Sequence, residues 1–325
     1  MKLIYNEEMK IIIRKSTWAM FAILAVIIIG SGLIEVFLGD HQTAPDDNWQ
    51  QALQDENQQI TKENEEYKKE VENDNRPSTI PPSMDKVDKN NYYLDNDIQP
   101  KEYGAWQFVL QNKSLSSLVS LFTIIMAGGI VAQEFKWGTI KLLLIRPVSR
   151  SQILLSKFAA VILFALVTAL FVIVFSWITG AIMFGIEGFL PEVVLQNNIL
   201  DTSEGFRQTF IVGDVFADYG YKLINLVMMG TFAFMISAVF RNNTLAIGAA
   251  IFLMFTGNTI VTAFNDYDWA KYILFANTDL EQYTVSGSPV IEGMTLGFSI
   301  TMLIVYFAIF IALSWLVFSK RDVAS

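Results

Sequence analysis

The sequence predicts an all-α membrane protein: six transmembrane helices, an N-terminal interfacial helix, and a large outer loop with a helical segment between helices 1 and 2. Three observations carry that prediction. Hydrophobic residues make up 53% of the 325-residue chain and charged residues only 17%, with 25 Phe, a balance rarely found in a soluble domain. Six apolar runs are each long enough, at about 20 residues, to cross a hydrocarbon core of about 30 Å as helices. None alternates strictly between apolar and polar positions, which argues against the strands of a transmembrane barrel.

Residues 1–16 mix Leu3, Ile4, Met9, Ile11, Ile12 and Ile13 with Lys and Glu, as a helix lying in the membrane interface would. A plain extension of the first span is the other reading. Lys10, Arg14 and Lys15 ahead of an apolar run also resemble a signal peptide, but the run from Trp18 to Leu38 is too long for a signal core and lacks a clear Ala-x-Ala site, so it reads as a retained span. Transmembrane helix 1 is placed at 17–38 and helix 2 at 115–132, with an extracytoplasmic region 39–114 between them. A cytoplasmic segment, 133–152, follows. Helices 3–6 fall within 153–319, near Phe158–Phe184, Lys222–Val239, Thr244–Phe264 and Leu296–Phe318. Outer loops 185–221 and 265–293 separate them, and 320–325 form a cytoplasmic tail.

Charge orients the chain, because short Lys/Arg-rich loops resist translocation. With both termini inside, the cytoplasmic pieces hold twelve Lys/Arg against Glu7, Glu8, Glu134 and Asp322. Eleven bases and twenty-eight acids remain for the other side, so the net charge of −9 divides into +8 inside and −17 outside. The region 39–114 carries much of that acidity. Its first half places Leu53, Ile60 and Tyr67 seven residues apart, with Trp49 and Val71 near the same stripe, which predicts one long amphipathic or weakly coiled helix. Breaks at Arg76-Pro77 and Ile80-Pro81-Pro82 then start an irregular return to the membrane. Such a helix is either a solvated spacer or an element with a ligand-sensing or substrate-gating role. The loop 185–221 is acidic and is expected to cap the pathway loosely. In 265–293 the patch Trp269, Tyr272, Ile273, Leu274 and Phe275 is too short to span; it fits a re-entrant or interfacial helix, or an aromatic belt.

Catalytic chemistry is hard to find. The chain has no Cys, which removes thiol nucleophiles, disulfides and thiolate metal sites. Its one histidine, His41, stands in a polar outer loop with no second His, so no metal site and no Ser-His pair is expected. A Gly-x-x-x-x-Gly-Lys-Ser/Thr phosphate loop does not occur, so the chain is not expected to hydrolyse ATP alone and is read as no enzyme. Ion-coupled transport normally needs ionisable groups at membrane depth. The predicted spans instead carry neutral polar residues, among them Thr123, Thr168, Ser176, Asn225 and Ser237. The cluster Thr256, Asn258 and Thr259 either lines a path for an amphipathic substrate or supplies hydrogen bonds between helices.

The most informative stretch follows helix 2. Glu134 leaves the span where Lys136 and Arg146 stand ready to pair with it, and Gly138 permits a turn. Thr139 to Ile145 gives two helical turns with Ile140, Leu143 and Leu144 roughly on one side, and Pro147 ends it,. Apolar residues in a cytoplasmic loop are exposed surface unless something covers them, which favours a docking element over an ordinary basic loop. The third span, begun by Ser151 to Lys157 and continuing to Gly185, is expected to reach about 50 Å if helical and so to extend into the cytoplasm.

This arrangement resembles the membrane permeases of bacterial type-2 ABC exporters: Gln133-Glu134, then Gly138-Thr139 and Leu142-Leu143, through Arg146-Pro147-Val148-Ser149-Arg150, together with an interfacial helix, six spans and a large first loop. The topological likeness covers the whole chain. The sequence-specific part is the nineteen residues after helix 2, with weaker similarity in the patch between the last two spans. The resemblance implies a coupling helix seated on a separate ABC ATP-binding subunit that works as a dimer, contacted by Glu134, Lys136, Gly138, Thr139, Leu143, Arg146, Pro147 and Arg150. It also implies a second permease copy or a sister permease, ATP and Mg bound by the partner subunit, and no cofactor on this chain. The expected role is export of a hydrophobic or amphipathic compound, such as an antibiotic, antimicrobial peptide or lipid-like molecule, across the cell membrane. Membrane lipid is a further expected partner and nucleic acid is not. A membrane-anchored sensor or scaffold, working through the outer helix, is the competing expectation. An intramembrane enzyme would want paired Asp, a metal site or a Ser/His arrangement, none of which is visible.

Overall fold

The computed structural model describes residues 2–39, 48–74, 84–100, 103–138, 148–186, 191–196, 205–240, 242–283 and 289–320. His41 and both proline breaks lie outside that set. Six helical stretches are long and apolar enough to cross a membrane: Lys15–Leu38, Ala105–Lys136, Arg150–Phe184, Ile211–Phe240, Asn243–Ala263 and Leu296–Lys320. The fold is that of an all-α multi-pass membrane protein.

Helix α1 (Lys2–Ile12) is separate from α2 (Lys15–Leu38) because Arg14 is extended, with ψ 128°. The corner is held by side chains that satisfy the free carbonyls at the end of α1. Thr17 Oγ1 donates to Ile11 O at 2.6 Å and Trp18 Nε1 donates to Ile12 O at 2.9 Å. The buried residues Met20, Leu24, Ile28 and Gly32 then recur every fourth position of α2 and set one narrow face against the bundle.

The second spanning stretch is composite. It runs through α5 (Ala105–Gln111), a 3-10 turn (Asn112–Leu115), α6 (Ser116–Ile130) and α7 (Ala132–Lys136). Residues 105–114, placed in the outer region on sequence, are helical here, and one face of them packs against the bundle. Ala105, Phe108 and Val109 have no exposed surface, and Ala105 N–H donates to Gly185 O at 3.1 Å. Helix α8 (Arg150–Phe184) has 35 residues and is therefore about 50 Å long. It starts at a capping box in which Ser149 and Gln152 exchange side-chain-to-backbone hydrogen bonds, both 3.3 Å,.

Part of the loop expected over 185–221 has regular structure. Strands β1 (Pro191–Gln196) and β2 (Gly205–Phe210) pair antiparallel, with Pro191 opposite Phe210; this hairpin departs from a purely α reading. Helix α9 (Ile211–Phe240) then begins about three turns before the expected Lys222,. Ile211, Val215 and Tyr219, spaced by four, are buried and hold this turn in the core. The acids that disguised it are locally partnered: Asp214 accepts from Thr209 at 3.2 Å and Asp218 meets Lys113 at 2.7 Å.

Helix α10 (Asn243–Ala263) is capped by Asn242, whose side chain accepts from Leu245 N at 3.1 Å. Between it and α12 (Leu296–Lys320), the short helix α11 (Leu274–Thr278) sits between two 3-10 turns. Asn277 pins this segment. It has no exposed surface, donates to Lys271 O and Ile273 O, and accepts from Ser299 of α12 at 2.8 Å. Gly257 is required where α10 meets α11, since a Cβ there would run into the Phe275 ring.

Outside the bundle, α3 (Trp49–Asp74) and α4 (Met84–Asp95) form a hairpin of their own. Leu53 and Tyr93 are buried together, Asn90 bridges Glu56 and Asn57, and Lys86 pairs with Glu56 at 2.7 Å. Numbering rises along one helix as it falls along the other, so the pair is antiparallel. The return toward the membrane was expected to be irregular; its residues 84–95 are helical because α3 offers them an apolar stripe. That stripe is covered at Leu53 and Ile60, whereas Tyr67 remains 39% exposed.

Candidate functional site

Among the described residues, two places bring charged side chains of several elements together beside buried polar groups. The first is an ionic cluster where α1, α7 and α8 meet. The path of α6 creates it. After Ile130 the helix tightens, Glu134 N–H reaching back only to Val131 O at 3.1 Å, while Ala132 N–H donates to Ser237 Oγ of α9 at 3.1 Å. That tighter turn aims Glu134 inward. Its Oε1 lies 3.0 Å from both Lys10 Nζ and Lys157 Nζ, and Glu7 lies 2.8 Å from each of the same two ammonium groups. Lys157 is 1% exposed. A charge so deeply buried is tolerated only when paired and hydrogen-bonded, and two carboxylates meet that need.

Neighbouring charges respond to the same burial. Burial opposes the Lys10 ammonium, but hydrogen bonds to Glu7 and Glu134 outweigh it and hold its pKa above the ordinary value. Arg14 is pulled below its usual value by burial, against the attraction of Glu134 and Glu7. Glu8, which faces no such partner, is pushed up to about 7 by burial. Its Oε1 is buried and has no hydrogen-bond partner among the described residues.

The residues expected to dock a partner are distributed around this cluster. Glu134 was expected to pair with Lys136 and Arg146; it meets Lys10 and Lys157, Lys136 is exposed, and Arg146 lies outside the described residues. The reason is geometric, since Lys136 leaves α7 on its solvent side two residues after a carboxylate that faces α8. Gly138 ends α7 with φ +70°, and its N–H donates to Phe135 O at 3.2 Å, a left-handed terminus that glycine supplies without strain. Trp137 beside it is 64% exposed. Thr139, Leu143, Arg146 and Pro147 lie outside the described residues. Arg150 donates to Ser319 O at 3.2 Å and Trp315 Nε1 donates to Ser151 Oγ at 2.8 Å, tying the start of α8 to the end of α12.

The second place is a cavity of about 260 Å³ in the opposite half of the bundle, between α6, α9, α10 and α11. Ser116, Ser117, Ser120, Lys222, Asn225, Asn258 and Asp279 supply polar groups to its wall, and Met229, Met254, Phe255 and Phe275 supply apolar ones. Of the three residues expected along a substrate path, only Asn258 lines it. Thr256 bonds back to Phe252 O within its own helix and Thr259 is exposed away from the lining. A second ion network flanks the cavity. Glu281 pairs with Lys222 at 2.5 Å and lies 3.7 Å from Lys113, which also holds Asp218 at 2.7 Å.

Glu7, Lys10 and Lys157 were missed as a unit when the sequence was read alone, although a signal was present. Glu7, Glu8 and Glu134 are three of only four acids assigned to the basic side, and Lys157 is a lone charge opening a long apolar run. The serines of α6 gave no such signal. No group of three or more His, Cys, Asp or Glu able to hold a metal occurs among the described residues.

Residues 83–324 match the family described as protein of unknown function DUF2705. The chain is 42% identical over 330 residues to the uncharacterized protein YhcI of Bacillus subtilis (strain 168), covering the whole of both chains. It is also 33% identical over 212 residues to the uncharacterized membrane protein YdbK of the same organism, covering 65% of this chain and 80% of that one. With three quarters of its length inside the matched region, the chain belongs to the DUF2705 family.

Proposed function

We propose that the protein is the transmembrane (permease) subunit of an ATP-driven ABC exporter, moving a hydrophobic or amphipathic compound out of the cell by alternating access. The observation that carries this reading is the cluster of Glu7, Lys10, Glu134 and Lys157, which joins the helix ahead of the first span, the exit of the second and the start of the third. Orientation follows from the charge bias, with both termini and the α1 end of the bundle in the cytoplasm. In this reading the segment beyond Gly138, including Thr139, Leu143, Arg146 and Pro147, docks on a separate ATP-binding subunit.

A push on that segment is transmitted to Glu134, only four residues before Gly138. The buried ion pairs resist separation, so α1 and the long α8 move with α7 as one body. ATP and Mg are held by the partner dimer, and a second permease copy or a sister permease completes the pathway. No phosphate loop occurs in this chain, so hydrolysis belongs to the partner.

The test is purification of the tagged chain in mild detergent with the proteins encoded beside it. An ATP-binding protein carrying vanadate-sensitive ATPase activity is expected to copurify, and Leu143→Asp is expected to release it while the chain stays folded. A chain that purifies alone, with no ATPase, would sink the reading. Weight would then pass to a membrane-anchored sensor or scaffold, for which the α3–α4 hairpin, with its own small core at Leu53 and Tyr93, is the binding element.

A further inference from the structure

We propose that the cavity between α6, α9, α10 and α11 binds the polar head of a singly cationic amphipath. This extends the export reading by naming the ligand chemistry, and it stands on the polar wall of the cavity, above all on Asp279, whose carboxylate accepts from Glu281 N–H but meets no base among the described residues.

Ser120 is 5% exposed and lines the cavity. Among the described residues, no partner takes up its hydroxyl or those of Ser116 and Ser117. Ser116 and Ser120 stand one turn apart on the same face of α6. The Ser120 oxygen is not sealed away from the cavity, so a ligand seated there that brings hydrogen-bonding groups reaches it. Asn258 on α10 adds an exposed amide from the opposite wall.

Charge decides which head fits. Lys222, the one cation in the lining, is already held by Glu281 at 2.5 Å, and Lys113 behind it is held by Asp218 at 2.7 Å. Asp279 is also in the lining, is exposed, and has no basic partner among the described residues. Two ammonium groups therefore face three carboxylates, and the surplus is one negative charge. An anionic head would have to displace Glu281 from Lys222 and approach Asp279; a neutral head leaves Asp279 unused. A primary ammonium pairs with Asp279 and donates its remaining protons to the serines and Asn258. The wall of Met229, Met254, Phe255 and Phe275 takes the first part of an apolar tail. At about 260 Å³ the space suits a head group and the start of a chain, not a folded peptide.

The test uses the chain alone in phosphatidylcholine nanodiscs and three pyrene-tailed alkyl probes that differ only in the head: a primary amine, a sulfate and a maltoside. Binding is corrected for partition into empty discs. The amine is expected to bind tightest, about tenfold weaker in Asp279→Asn, as the loss of one partly desolvated ion pair would give, and about threefold weaker in Ser120→Val. Asn258→Leu, on an exposed wall position, serves if either variant folds poorly, and is expected to weaken the amine as well. Equal or tighter binding of the sulfate probe would overturn the proposal. So would an amine affinity unchanged across all three variants, which would make the probe a mere solute in lipid. No ATP-binding partner enters this measurement, so its failure and the failure of the export reading are separately visible.

Discussion

The bundle carries an ion network at each end, built from the same residue types and differing in how much water reaches them. At the α1 end the side chains of Lys157, Glu7 and Glu134 are 1%, 8% and 11% exposed, with Lys10 at 43% on the rim; at the far end those of Lys113, Lys222, Glu281 and Asp218 are 38%, 26%, 21% and 15% exposed. Distances are similar. Burial therefore separates a joint from a latch. Where water is excluded, every charge must be matched and separation is expensive. Where water enters, solvent replaces a lost partner and the pair is worth little. A helix bundle that transmits motion from one end and opens at the other would need that division.

The sharpest way to break this comparison is to remove one lysine at each end. Lys157→Met leaves the buried carboxylates of Glu7 and Glu134 with only the exposed Lys10 and is expected to cost about 3 kcal/mol. Lys222→Met removes a half-wet partner of Glu281 and is expected to cost about 1 kcal/mol or less. Thermal unfolding of both variants in the same detergent measures the difference. Equal losses would mean that the two networks are not distinct in kind.

Double-mutant cycles sharpen the same point with smaller effects. The coupling between Glu134→Gln and Lys157→Gln is expected at about 2 kcal/mol, and that between Lys222→Gln and Glu281→Gln below about 1 kcal/mol. Raising salt from about 0.05 to 1 M shortens the screening length from above 10 Å to about 3 Å. The far-end coupling is expected to shrink and the buried one to hold. A buried coupling that fell with salt would show that water reaches Lys157.

The contrast also marks what the sequence made legible. The six spans were readable because apolar runs of that length have few other uses, and α2, α10 and α12 begin or end within a few residues of where hydropathy places them. The early start of α9 was not readable, because Asp214 and Asp218 made a buried helical turn look like an acidic loop, and only Lys113, a hundred residues away in the chain, explains Asp218. Glu134 stood out in the sequence as an acid at the end of a span, with partners sought among near neighbours; the ammonium groups it meets in the structure are distant in the chain. Lys10 and Lys157 reach it only because α6 tightens at Val131, and no local pattern encodes that bend. The hairpin β1–β2 failed for a related reason: Val193, Val194 and Leu195 gain strand structure from pairing with residues 206–208, a gain that exists only once the partner strand is in place.

The smallest expected effect concerns Glu8, a carboxyl at the α1 end that the buried network leaves without a lysine. Burial raises its pKa from 4.5 to about 7, so between those values the folded chain holds a proton that the unfolded chain has lost. Stability must then fall as pH rises through that window and change no further from this group above about pH 7. A fully buried carboxyl with that displacement would contribute about 3 kcal/mol. Glu8 is only partly covered, and solvent reduces the expected loss to about 1 kcal/mol. Glu8→Gln, which keeps the shape of the protonated acid, is expected to remove that share of the decline between pH 5 and pH 8, read as the difference in melting temperature between variant and wild type at the two pH values. If Glu8→Gln left the pH profile unchanged, the carboxyl would be ionised and solvated in the folded chain, and the α1 end would be wetter than the burial of Lys157 requires.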